Sequence, residues 1–99
     1  MMKIAVGVND FGVVASHLGK TSRFFIFEVN GKEVEFLEMR DSNSDKSNHI
    51  IEEIKDCSGV ISGSIGEGML DNLKKNGITA VIESVITDPE KAVEKNFIN

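Results

Sequence analysis

His17, His49 and Cys57 are the only imidazole and thiol groups of this chain. Imidazole ligates iron, zinc or copper, so both histidines are candidate metal ligands. His17 stands in Ser16-His17-Leu18-Gly19, within a long connection from Asn9 to Ser22, and loops of that length in a small chain are often functional. His49 stands where a helix is expected to begin, and the dipole there disfavours a charged ring, leaving it free to ligate. The plainer roles are a loop histidine bonded to its own backbone for His17 and a solvated helix-start residue for His49. One cysteine permits no intramolecular disulfide and no zinc or iron-sulfur site built wholly from thiolates. Cys57 lies on an apolar helical stripe and reads as a small buried hydrophobe. No Ser-His-Asp or Cys-His arrangement can be drawn from these residues, so an enzyme is not expected.

Gly63-Ser64-Ile65-Gly66 is a second candidate, because glycines let backbone N–H groups approach an anion. It has neither the lysine of a P-loop nor the spacing of a dinucleotide fingerprint, and a tight strand-to-helix turn accounts for it almost as well. Asp10, Asp41, Glu67 and Asp88 could gather around a hard cation, but helix starts attract acids for capping alone.

At 99 residues the chain is long enough for one hydrophobic core and too short for two, so one domain spanning 1–99 is expected. Hydrophobic residues make up 40% and charged residues 27%, a globular composition. No apolar run approaches a membrane span, and the apolar start after Met1-Met2-Lys3 is too short for a signal peptide, which points to the cytoplasm. A net charge of −5 with scattered Lys and Arg opposes nucleic-acid binding.

The elements that must position these groups follow from hydrophobic periodicity. Lys3 to Val8 reads as a central strand covered on both faces. Arg23–Val29 and Glu33–Met39 flank Asn30-Gly31-Lys32 and read as a hairpin, with the second strand a charged edge. Ile50, Ile51, Ile54 and Cys57 form one helical stripe, with Ser47 or Asn48 as its cap. Val60 and Ile61 make a short strand, and Met69, Leu70 and Leu73 a helix stopped by Gly77. Ile78 to Ile82 make a fifth strand, and Thr87-Asp88-Pro89-Glu90 opens a helix burying Val93 and Phe97. The order βββαβαβα predicts an α/β fold with a mixed five-stranded sheet 3-2-1-4-5, strand 2 antiparallel. The carboxyl ends of strands 1, 3, 4 and 5 then share one rim, with a crevice where crossovers leave in opposite directions. His17, the neighbourhood of His49, Gly63-Ser64-Ile65-Gly66 and three helix N-termini meet there, with Lys20 and Arg23 adding positive charge.

Met2-Lys3-Ile4-Ala5-Val6, Ser16-His17-Leu18-Gly19-Lys20 with Phe24-Phe25, and Val60-Ile61-Ser62-Gly63-Ser64-Ile65-Gly66 occur in a fairly specific order. With Lys75-Asn76-Gly77-Ile78, they make the sequence resemble the dinitrogenase iron-molybdenum cofactor biosynthesis family over nearly its whole length. The resemblance implies a ribonuclease H-like three-layer fold and a carrier of iron-sulfur or iron-molybdenum cluster precursors that works with cofactor-assembly proteins. It places His17 at the histidine of the family's His-Phe-Gly motif, with Leu18 in place of the phenylalanine. Taken with the glycine turn after strand 4, the expected cofactor contacts are His17, Gly19, Ser64 and Gly66. A nuclease of similar fold would need inward acids, and strand 1 has none. The alternative is a protein-interaction or regulatory domain of the same fold that binds no cluster.

Overall fold

The apolar start of the chain forms β1 (Met2–Val8), the middle strand of a five-stranded sheet. A computed structural model of the protein describes residues 2–42 and 47–98, with side chains for all of these except residues 47–49. Ile4, Val6 and Val8 point to one face and Ala5 to the other, all fully buried. Such two-sided burial explains the unbroken apolar run.

β2 (Arg23–Asn30) and β3 (Glu33–Asp41) follow as a hairpin, β2 antiparallel to β1. Asn30 pairs with Glu33, so the loop is only Gly31-Lys32, and Gly31 alone takes a positive φ, +64°. Asn30 stays extended, which is the type II′ pattern. In β3, Val34, Phe36 and Met39 share the face of Phe25 and Phe27, although their spacing changes from two to three. Leu37 absorbs the extra residue as a bulge between the Phe27–Phe36 and Ile26–Glu38 pairs. The Phe36 ring meets Phe25 and Phe27 edge-on at 5.5 and 5.7 Å. β3 is an edge strand, as its acids led one to expect.

α1 (Ser47–Ile54), β4 (Gly59–Ser62), α2 (Glu67–Lys75), β5 (Thr79–Ile82) and α3 (Pro89–Phe97) complete the order βββαβαβα. The sheet runs β3-β2-β1-β4-β5, with β4 and β5 parallel to β1, as the connectivity predicts. α2 closes at Asn76 before Gly77, whose φ is +73°. The start of α3 has Asp88 as its cap, accepting from the Lys91 N–H, and Pro89 in its first turn. The cap expected at Ser47 or Asn48 lies outside the described side chains.

Ile50 and Ile54 of α1 and Leu73 of α2 pack on the face of Ala5, Phe24 and Ile26. Ala92 and Val93 of α3 pack on the opposite face with Ile4, Val6 and Phe27. This corrects the expected crevice. Both crossovers step in the same direction along the sheet, so right-handedness puts α1 and α2 on one face. Loops, not diverging crossovers, therefore shape the rim.

Arg40 ties β3 to the end of α1. Its guanidinium donates to both Asp56 carboxylate oxygens at 2.7 and 2.9 Å and to the Glu53 carbonyl at 2.8 Å. That bidentate pairing, helped by Lys3 at 3.2 Å, holds the Asp56 carboxyl well below the usual carboxylate range. Nearby, burial pushes the Cys57 thiol up to about 11, so it stays protonated near neutrality.

Phe24 is fully buried, whereas Phe36 is 47% exposed. Phe24→Ala is expected to lower unfolding free energy by about 3–5 kcal/mol, and Phe36→Ala by about 1 kcal/mol, mainly from its edge contacts. Urea titration of both variants checks the ranking.

Candidate functional site

β1 runs directly into the loop that bears His17. The Asn9 side chain accepts from the Phe11 and Val13 N–H groups at 2.8 and 3.3 Å, and Gly12 turns the chain with φ +76°. Val14 then bridges back to Val8, and the Ala15 N–H donates to the Gly7 carbonyl at 2.8 Å. The connection is thus ordered by its own hydrogen bonds, as its glycines and length led one to expect. It ends in a short 3-10 helix, Leu18–Lys20, anchored by Leu18 at 1% exposure. Leu18 is a core residue, so its side chain serves packing beneath the loop and leaves the neighbouring His17 ring on the surface.

His17 itself is exposed and caps this short helix: its Nδ1 accepts the Gly19 N–H at 2.9 Å. The plainer role weighed for this residue is therefore present in the fold. Gly19 is suited to it, because a Cβ there would lie 3.1 Å from Nδ1 and 3.3 Å from Cε1. Lys20 follows on the surface, and Arg23 stands opposite Val8 and Asp41 in the sheet register at the same rim.

The exit of β4 is laced to this loop by two backbone amides and two serine hydroxyls, with a backbone carbonyl as the acceptor each time. The Gly63 N–H donates to the Ala15 carbonyl at 2.8 Å, and the Leu18 N–H to the Ser64 carbonyl at 2.9 Å. The hydroxyls of Ser62 and Ser64 donate to the carbonyls of Ala15 and Ser16 at 3.3 and 2.9 Å. A Cβ on Gly63 would fall 2.8 Å from both carbonyl oxygens. Gly63 is thus required by close backbone approach. Ser64, a predicted cofactor contact, spends its proton on the loop. Gly66 is exposed at the N-cap of α2, where no side chain caps the helix.

Glu83 was not foreseen from sequence. It directly follows β5, is 4% exposed, and is surrounded by donors. Its carboxylate accepts from Asn96 at 3.0 Å, from the Val85 and Ile86 N–H groups at 3.1 and 3.0 Å, and pairs with Lys95 at 3.2 Å. The Asn96 amide and those two backbone donors hold its pKa down at about 2. It fixes the β5–α3 loop, which with Val14, Ala15, Ser16 and Gly63 walls a cleft of about 250 Å3. The Val14 N–H closes the wall on the Thr87 carbonyl at 2.9 Å. A larger hollow, about 500 Å3, lies against α2 and the start of β5, away from these loops. The signal for Glu83 was an acid ending an otherwise apolar strand.

His17, Gly19, Ser64 and the Gly63 turn thus meet on one rim. The His49 side chain lies outside the described residues, although α1 does begin beyond the rim end of β3. Among the described residues no three His, Cys, Asp or Glu side chains converge on a possible metal position. Asp10, Asp41, Glu67 and Asp88 therefore form no hard-cation site, and Asp88 serves as a cap.

Gly63→Ala is expected to cost about 1–3 kcal/mol and to speed hydrogen exchange at the Leu18 amide, while Gly66→Ala, with open space around it, leaves that exchange unchanged and costs only the smaller loss of a poorer helix cap. Glu83, with its folded pKa below its ordinary value of 4.5, contributes stability that is present above about pH 4.5 and lost as pH falls toward about 2. Glu83→Gln should therefore flatten part of the acid limb of a stability-against-pH curve, leaving the part due to Asp56.

Residues 1–97 match the family described as dinitrogenase iron-molybdenum cofactor. The FeMo cofactor biosynthesis protein NifB of Frankia alni is 28% identical over 90 residues. The alignment covers 79% of this chain and 18% of that protein, so the chain spans under a fifth of that relative. Among solved structures, the protein PH0822 superposes with a TM-score of 0.79 at 22% identity, covering 97% of this chain and 88% of that one. A candidate dinitrogenase from Methanocaldococcus jannaschii gives 0.69 at 17% identity, over 94% and 85% of the two chains. A candidate NifB protein from Thermotoga gives 0.65 at 18%, over 97% and 90%. At those identities the structures speak for the fold, and the match over residues 1–97 makes this chain a member of the dinitrogenase iron-molybdenum cofactor family.

Proposed function

We propose that the protein is a small, non-enzymatic carrier domain spanning residues 1–99, which holds an anionic iron-sulfur or iron-molybdenum cluster precursor, or another small anion, at the rim. His17 contacts the cargo, Gly19, Ser64 and Gly66 shape its seat, and His49 is a second imidazole on the α1 side. Cofactor-assembly proteins in the cytoplasm load and unload it. The observation that carries this reading is an exposed histidine on a loop fixed at both flanks, in a chain of this family.

The donor set sets a limit on how the cargo is held. Among the described residues no three ligands converge, so those residues do not by themselves enclose a metal centre. Incomplete coordination suits cargo that must leave, and it leaves positions open for a second subunit or an acceptor. Among the described residues no helix is long and apolar enough to cross a membrane.

Phe11 is 90% exposed and Val85 77%, both on rim loops, which supports a second reading as a docking domain that binds no cluster. Anaerobic reconstitution with ferrous iron and sulfide separates the two. A visible chromophore in wild type that weakens in His17→Ala is expected; its absence from wild type would leave the docking reading.

A further inference from the structure

The Gly19 amide is only a donor, so the ring nitrogen 2.9 Å from it must be an acceptor. A neutral imidazole whose Nδ1 accepts carries its proton on Nε2. The lone pair a metal would need is therefore occupied on one side of the ring, and the exposed side presents N–H. Ligation through Nδ1 would displace the Gly19 N–H. Ligation through Nε2 would move the proton to Nδ1, against the amide hydrogen. Either course undoes the cap of the Leu18–Lys20 helix.

From this we infer that His17 holds its cargo as a hydrogen-bond donor, from Nε2–H to a sulfide or oxo group on the cargo's surface, with the imidazole–metal bond excluded while the cap is intact. The inference rests on the carrier reading and specifies its ligand class: an anion whose metal is already saturated and whose outer atoms accept hydrogen bonds. Three features agree with that class. The ring is exposed, Lys20 and Arg23 stand at the same rim, and no ligand set for a bare cation converges among the described residues. Gly19 keeps the ring in place, since a side chain there would press on Nδ1. Release needs no metal–nitrogen bond to break, which suits a carrier.

Tetrathiomolybdate is the probe, because its metal is saturated by sulfides that accept hydrogen bonds. In 15N side-chain NMR of the free protein, His17 should show an unprotonated Nδ1 and a protonated Nε2. On adding the probe that pattern should persist. His17→Ala should weaken binding about tenfold, and His17→Asn, whose carboxamide can accept from Gly19 and still donate, should retain most of it. Loss of the Nε2 proton on loading, equal losses in both variants, or tighter His17-dependent binding of cobalt(II) than of the probe would overturn the donor role. Iron-sulfide reconstitution without any probe binding would overturn the donor role alone. Failure of both would remove the carrier reading itself.

Discussion

The rim depends on one backbone contact, the approach of Gly63 to the carbonyls of Ala15 and Ser16. Removing the side chain at that position lets two loops from neighbouring parallel strands share four hydrogen bonds, from the Gly63 and Leu18 amides and the Ser62 and Ser64 hydroxyls. His17 rides on the clamped segment, and Leu18 sinks into the core beneath it. The cleft beside it has the same origin, because Ala15, Ser16 and Gly63 form one wall and the loop held by Glu83 the other. Preorganisation of this kind reduces the ordering cost of binding.

Behind the rim, the sheet gives the loops a rigid base. β1 is buried on both faces by α1 and α2 on one side and α3 on the other, so its carboxyl end cannot drift relative to β4. Two ionic anchors hold the periphery. Asp56 gathers Arg40 and Lys3 where α1 ends, and Glu83 gathers backbone amides, Asn96 and Lys95 where β5 ends. Both carboxyls are held below their ordinary range, so both link folding to acid in the same direction.

Much of the fold was legible because strand and helix periods are written in residue type. The unbroken apolar run Ile4 to Val8, the acids of β3 and the Asp88-Pro89 start of α3 each have one strong structural explanation. Less legible was whatever depends on pairing across the sheet. The bulge at Leu37 shows in sequence only as a change of spacing among Val34, Phe36 and Met39, and only β2 as a template identifies the residue left out. The shared face of α1 and α2 required combining handedness with the direction of both crossovers. Glu83 went unnoticed, because its partners, the Val85 and Ile86 amides and Asn96 and Lys95 of α3, gather around it only once the loop and helix are in place.

By itself the sequence determined the element order, the strand order and the loop that carries His17, since all three follow from local periodicity, turn residues and the handedness of connections. Tertiary structure decided what His17 can do. Which ring nitrogen is free depends on an amide two residues away, and that amide is placed by a loop clamped to Gly63, some forty-five residues distant. Hydrogen-bond direction is a property of assembled geometry, and residue type alone carries no record of it.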